Sequence, residues 1–244
     1  MEESSDVAQS LRDEIAGVVR LRRRTAEDPA FARRLLALKG WQAERLAATY
    51  GDLLAHPRYR PATEFFLTDL YGAKDFRSRD EELARVVPAM CRMLPEGALR
   101  TIAAAVRLDR LSESLDHAVA DALAAAGVPE RPGDAAYGTA YRAADRRDDR
   151  EMQIALTLEI GRALDDLTRS RTLRAALVLM RRPARAAGFG DLQDFLERGF
   201  EAFRHMGGAQ AFLDTVAGRE REVMRRLLAA NPRPFDVEKR PLPV

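Results

Sequence analysis

The chain has 244 residues, 40 basic and 38 acidic, for a net charge of +2. That near-neutrality is no signature of a nucleic-acid binder, and a content of 46% hydrophobic and 32% charged residues excludes a disordered or membrane-embedded chain. One cysteine, Cys91, excludes an internal disulfide and a multi-thiolate metal site.

The N-terminal "MEESSDVAQSLRDE" is acidic and polar with no apolar signal core. No apolar run approaches the ~20 residues needed to cross a bilayer, so a cytoplasmic protein is expected. The first helix closes on Arg20 and Arg22–Arg24, a positive patch that complements the helix dipole. No aromatic residues interleave with these arginines to stack bases, so nucleic acid is not favoured as a partner. In "FARRLLALKGWQAERLAATYGDLL" a seam runs through Phe31, Leu35, Leu38, Gln42, Leu46, Thr49 and Leu53 at steps of three and four.

"VVPAMCRML" surrounds Cys91 with apolar neighbours and predicts a buried structural thiol. "MQIALTLEI" alternates like a strand through Ile154, Leu156, Leu158 and Ile160. Leu156, Ile160, Ala163 and Leu167 also fit a helical seam, and a lone strand has no partner, so a helix is expected. Further seams run through Leu192, Phe195, Leu196, Gly199, Phe200 and Phe203, and through Phe212, Leu213, Val216, Val223, Met224 and Leu227. Wide apolar stripes with charged backs are helices packing on a shared core.

Pro29, Pro57, Pro61, Pro95 with Gly97, "GVPERPGD", Pro183 and "GFGD" mark the ends of these helices. The expected architecture is all-α: a single multi-helix bundle of about nine or ten helices with short connections. One domain spans residues 1–230, with a subdivision near 127–134, and residues 231–244 form a proline-rich extended tail.

Chemistry-bearing motifs are sparse. There is no nucleophile elbow, phosphate loop or dinucleotide fingerprint, and no cofactor is implied. None of His56, His117 and His205 carries a glutamate three residues before it, the spacing that builds di-metal bundles. Glu113 with His117 and Glu201 with His205 are i,i+4 pairs, read as mild surface ion pairs. The weak candidates for a carboxylate–histidine metal centre are Glu159, Glu201 and His205.

The richest stretch is "FFLTDLYGAKDFRSRD", residues 65–80. Pro61 suits the first turn of a helix with body "ATEFFLTDLY", Gly72 suits its left-handed end, and Ser78 to Glu81 form a capping box for the next helix. Phe65 and Phe66 are adjacent, so they point about 100° apart on a helix and one narrow seam does not take both. Asp69 and Tyr71 flank the rings. A binding site here would draw on Trp41, Arg45, Tyr59, Phe65, Asp69, Tyr71 and Asp75; equally, the polar groups would pin the loop to Arg58, Arg60 or backbone amides.

With "WQAERLAATYGDLL", "PRYRPATEFFLTDLYGAKDFRSRD" and "LQDFLERGFEAFRHMGG", the chain resembles a family of bacterial helical hypothetical proteins with an FFLxDLYGxxDFxxRD-type motif. The resemblance covers most of the chain and carries no activity, cofactor or catalytic residue. The leading expectation is a non-enzymatic helical protein that binds a protein partner or self-associates. The alternative is a small-ligand-binding protein or enzyme with a pocket around Phe65, Asp69 and Tyr71.

Overall fold

The computed structural model describes residues 2–70, 96–128 and 131–239. Among them are ten α-helices and no strand: α1 Glu2–Glu27, α2 Pro29–Thr49, α3 Gly51–Ala55, α4 Arg60–Phe65, α5 Glu96–Ala125, α6 Asp134–Ala143, α7 Arg147–Thr168, α8 Arg171–Ala186, α9 Gly190–Met206 and α10 Gln210–Leu228. The alternating segment is helical, within α7. Gly72, the capping box, Cys91, Tyr71 and Asp75 lie outside the described residues. No helix among the described residues is long and apolar enough to cross a membrane.

Local chemistry sets the helix ends. Asp28 Oδ1 accepts from the Ala30 and Phe31 amides at 3.0 Å, and Pro29 takes the first position of α2, where its missing N–H costs nothing. Gly207 ends α9 at φ 64°, a left-handed conformation that favours glycine. Arg58 then ties down that turn by donating to the Met206 carbonyl at 2.7 Å.

Two large apolar cores form, and α2 and α10 contribute to both. The first gathers Leu46, Tyr50, Leu53, Tyr59, Phe65, Phe66, Ile154, Leu158, Phe203, Met206, Phe212 and Leu213. The second gathers Phe31, Leu35, Leu38 and Trp41 with Val119, Leu123, Tyr137, Tyr141, Val223, Met224 and Leu227. A third, smaller cluster zips α1 to α5 through Leu11, Ile15, Val18 and Val106. Each large core takes residues from both sides of the 127–134 connection.

The tail is not helical over residues 231–239, and it lies on the second core. Val237 is buried there, and Phe235 meets Trp41 edge-on with ring centroids 5.6 Å apart. Arg226 of α10 donates to the Asp236 carbonyl, and Lys239 donates to the Ala48 carbonyl at 3.2 Å.

Three local expectations differ from the structure. Pro183, read as a helix end, lies inside α8. The positive patch ending α1 is partly neutralised by α5: Arg22 pairs with Asp109 at 3.0 Å and Arg24 with Asp121 at 2.7 Å. Leu196, placed on the α9 seam, is 41% exposed, while Phe200 and Phe203 of the same helix are buried.

Candidate functional site

The helix with Pro61 in its first turn does not run as one α-helix. After Phe65 it widens into a π turn over Phe66–Leu70, a geometry often found at functional sites. Both rings are buried and meet edge-on at 6.5 Å, with planes 85° apart. Phe65 packs against Phe195 and over Gly199, and Phe66 against Phe203 and Phe212. The two adjacent rings thus serve the same core from different directions.

Asp69 is buried, accepting from Arg198 at 2.6 Å and from the Thr68 hydroxyl at 2.9 Å. Tyr59 is fully buried and stacks on Phe212. Trp41 sits 4.4 Å from Tyr137 under the tail. Of the described residues expected to form a site, Arg45 alone faces the cavity at the centre of the molecule. Glu159 is exposed on α7; Glu201 pairs with Arg204 at 2.7 Å, and His205 Nε2 lies 3.2 Å from the Pro57 carbonyl. No cluster of three or more metal-ligating side chains occurs among the described residues.

The central cavity, of about 140 Å³, lies between the two large cores. One wall is apolar: Leu46, Leu53, Phe66, Ile154, Leu158 and Phe212. The other is polar, and α5 supplies much of it through Asp109, Ser112, Glu113 and Asp116, spaced so that all four share one helix face. Facing them are Lys39, Gln42 and Arg45 of α2, Arg150 and Gln153 of α7, and Glu220 of α10.

Hydrogen bonds order this wall. Lys39 Nζ donates to Glu113 at 2.6 Å, and His117 Nε2 lies 3.5 Å from the other Glu113 oxygen and 3.1 Å from the Thr25 hydroxyl. Glu113 and His117 are therefore a buried pair, 6% and 3% exposed, rather than a surface one. Burial pushes the Glu113 carboxyl up, but the hydrogen bond with His117 and the charge of Lys39 outweigh it and bring it down to about 2. Glu220 accepts from Arg45 at 3.1 Å and from the Tyr50 hydroxyl at 2.7 Å.

Two groups have weaker company. Asp116 accepts from Gln42 at 3.0 Å, and burial raises its carboxyl above the ordinary value. Arg150 donates to Gln153 at 3.3 Å and lies over the Tyr141 ring at 4.8 Å. Arg45 Nε is buried with no hydrogen-bond partner among the described residues. The signal for this wall was present in the sequence as a polar series at i, i+3, i+4 and i+7 in an otherwise alanine-rich helix, but nothing local said what faced it.

Fold and site together define an all-α bundle with a mixed polar and apolar cavity between two cores. A family model described as "Domain of unknown function (DUF8198)" matches residues 21–234, and the chain belongs to that family. No curated protein and no solved structure matches the chain.

Proposed function

We propose that the protein binds a small molecule in the central cavity. The observation that carries this reading is the cavity itself: about 140 Å³ with charged groups on one wall and aliphatic and aromatic groups on the other. Native interiors are close-packed, so a space of this size with charged groups on its lining calls for water or a ligand to fill it. Concave sites lined by apolar groups with a few placed polar ones are the usual form of small-molecule pockets. This moves the ligand site from the loop after Phe65 to the space that Phe66, Leu67 and Arg45 border.

The test is a thermal-shift screen of small polar and amphipathic compounds on the full chain, repeated on Ala217→Leu. Ala217 is buried and borders the cavity. Hits that raise the melting temperature of the wild type and not of A217L support the reading. A screen with no hit, or hits indifferent to A217L, would sink it.

A second reading, self-association, draws on α8. Val178, Leu179 and Met180 are 52%, 77% and 46% exposed, with Leu196 of α9 also exposed. On the same two helices Arg181 pairs with Glu197 at 2.7 Å and Arg185 with Asp194 at 2.9 Å. Exposed apolar side chains and both signs of charge thus occur together on α8 and α9, and a two-fold-related copy would meet complementary groups. Sedimentation of wild type and Leu179→Glu separates the cases: a dimer that L179E dissociates supports this reading, and a monomer at all concentrations rejects it.

A further inference from the structure

Resting on the reading of the cavity as a small-molecule site, we propose that its ligand is a small zwitterion: an amine-type cation and a carboxylate on a short aliphatic body, with a free amino acid of about valine's size as the simplest case. The argument is one of charge matching. Four carboxylates, Asp109, Glu113, Asp116 and Glu220, and three cations, Lys39, Arg45 and Arg150, border the cavity. Asp109 is matched by Arg22, Glu113 by Lys39 and Glu220 by Arg45. Asp116 and Arg150 remain: the charges of Lys39 and Arg150 reach Asp116, but among the described residues neither Asp116 nor Arg150 makes a direct ion-pair contact.

Each of the two is instead held by one neutral amide. Gln42 Nε2 donates to Asp116 Oδ1, leaving Oδ2 for a ligand donor. Arg150 uses Nη1 on Gln153, leaving the rest of its fork for an acceptor. Gln153 is itself fixed, because its amide donates to the Ser112 hydroxyl at 2.8 Å. A simple anion drawn to Arg150 would meet the surrounding carboxylates, and a simple cation drawn to Asp116 would meet Lys39 and Arg45. A molecule carrying both charges satisfies both orphan groups, its ammonium on Asp116 and its carboxylate on Arg150.

Size and shape complete the match. A cavity of about 150 Å³ is known to hold benzene, so one of 140 Å³ admits a molecule of about six to eight non-hydrogen atoms. Beyond the polar wall, Leu46, Ile154, Leu158 and Phe212 offer an apolar floor for a branched aliphatic body. Charge-assisted contacts at one end and burial at the other are the division of labour such a ligand requires.

The experiment is calorimetric titration of the full chain with four probes that share one branched body: L-valine, isobutylamine (valine without its carboxylate), isovalerate (valine without its ammonium) and isobutanol. Valine is expected to bind at least tenfold more tightly than any of the other three. Asp116→Asn should weaken valine and isobutylamine at least tenfold and leave isovalerate unchanged; Arg150→Gln should weaken valine and isovalerate at least tenfold and leave isobutylamine unchanged. Far-UV circular dichroism and cooperative unfolding of both variants certify the fold, and the wild-type probe ranking stands even if a variant does not fold. Isobutanol binding as tightly as valine would overturn the zwitterion and leave the cavity reading intact. Silence of all four probes, alongside A217L-sensitive hits of other chemistry, would do the same. Silence here and in the screen overturns both.

Discussion

Arg219 of α10 grips Asp52 of α3 with both ends of its guanidinium, Nη1 to Oδ1 at 2.7 Å and Nη2 to Oδ2 at 2.5 Å, and only 5% of the arginine side chain is exposed. Nη1 also donates to the Thr49 carbonyl at 3.2 Å, so one side chain closes the end of α2 and fastens α3 to α10. A forked pair held this way is geometrically specific in a manner lysine does not reproduce. Arg219→Met is expected to lower unfolding free energy by about 3 kcal/mol in urea titration, because it strands Asp52 and a helix-end carbonyl. Replacing both partners by apolar residues should recover part of that loss, which a double-mutant cycle measures.

Acid should unfold the protein in part through Glu113. Its carboxyl titrates at about 2 in the folded chain against an ordinary value of 4.5. A depressed carboxyl contributes stability that is fully present above the unfolded value and lost as pH falls through the folded one. The window is therefore pH 4.5 down to 2, and the contribution about 3 kcal/mol. Asp116 has the opposite sign: burial raises its carboxyl, so it favours the fold most at low pH and opposes it once ionised. Urea unfolding at pH 2 to 7 should show a flatter acid limb for Glu113→Gln, and a gain for Asp116→Asn that appears only toward neutral pH.

Gly199 is where α9 makes room for Phe65, the last residue of α4 before the π turn. A Cβ there would stand 2.8 Å from Phe65 Cζ, inside contact distance of a ring already packed against Phe195 and Phe66. Gly199→Ala should therefore destabilise by about 1–2 kcal/mol, overpacking outweighing the ~1 kcal/mol that alanine brings to a helix interior. The calorimetric melting temperature should fall for G199A and rise again when Phe65→Leu is added.

The tail should be readable by fluorescence, since Trp41 is the only tryptophan. Phe235 covers its ring and Val237 is buried beside it. Removal of residues 231–244 should red-shift the emission and lower the melting temperature, and Phe235→Ala should give a smaller shift in the same direction. An unchanged emission maximum would mean the tail does not cover Trp41 in solution.

The helices were legible because their signal is local. The α2 seam from Phe31 to Thr49 is buried nearly as the spacing dictates, with Trp41 in place of Gln42. Gln42 turns instead toward Asp116, a partner 74 residues away that no periodicity announces. The arginines ending α1 read as a free patch for the same reason: Asp109 and Asp121 stand 87 and 97 residues further on. Glu113 and His117 read as a surface pair because a charged i,i+4 couple usually is one. In α5 both sides are covered, by α1 on one and by α2 and α7 on the other, so its polar face becomes the wall of a cavity. Arg45 was singled out, but beside Trp41, Tyr59 and Phe65, which belong to the packed cores.

That α2 and α10 each enter both cores limits how the chain can change length. Leu38 and Leu46 lie on opposite sides of the cavity level, as do Ala217 and Val223. One residue inserted between either pair would turn the far half of the helix by about 100° and point its apolar side chains away from their core. Those two short spans therefore act as fixed gauges of the distance between the cores. Insertions and deletions in relatives should fall in the connections and spare residues 38–46 and 217–223.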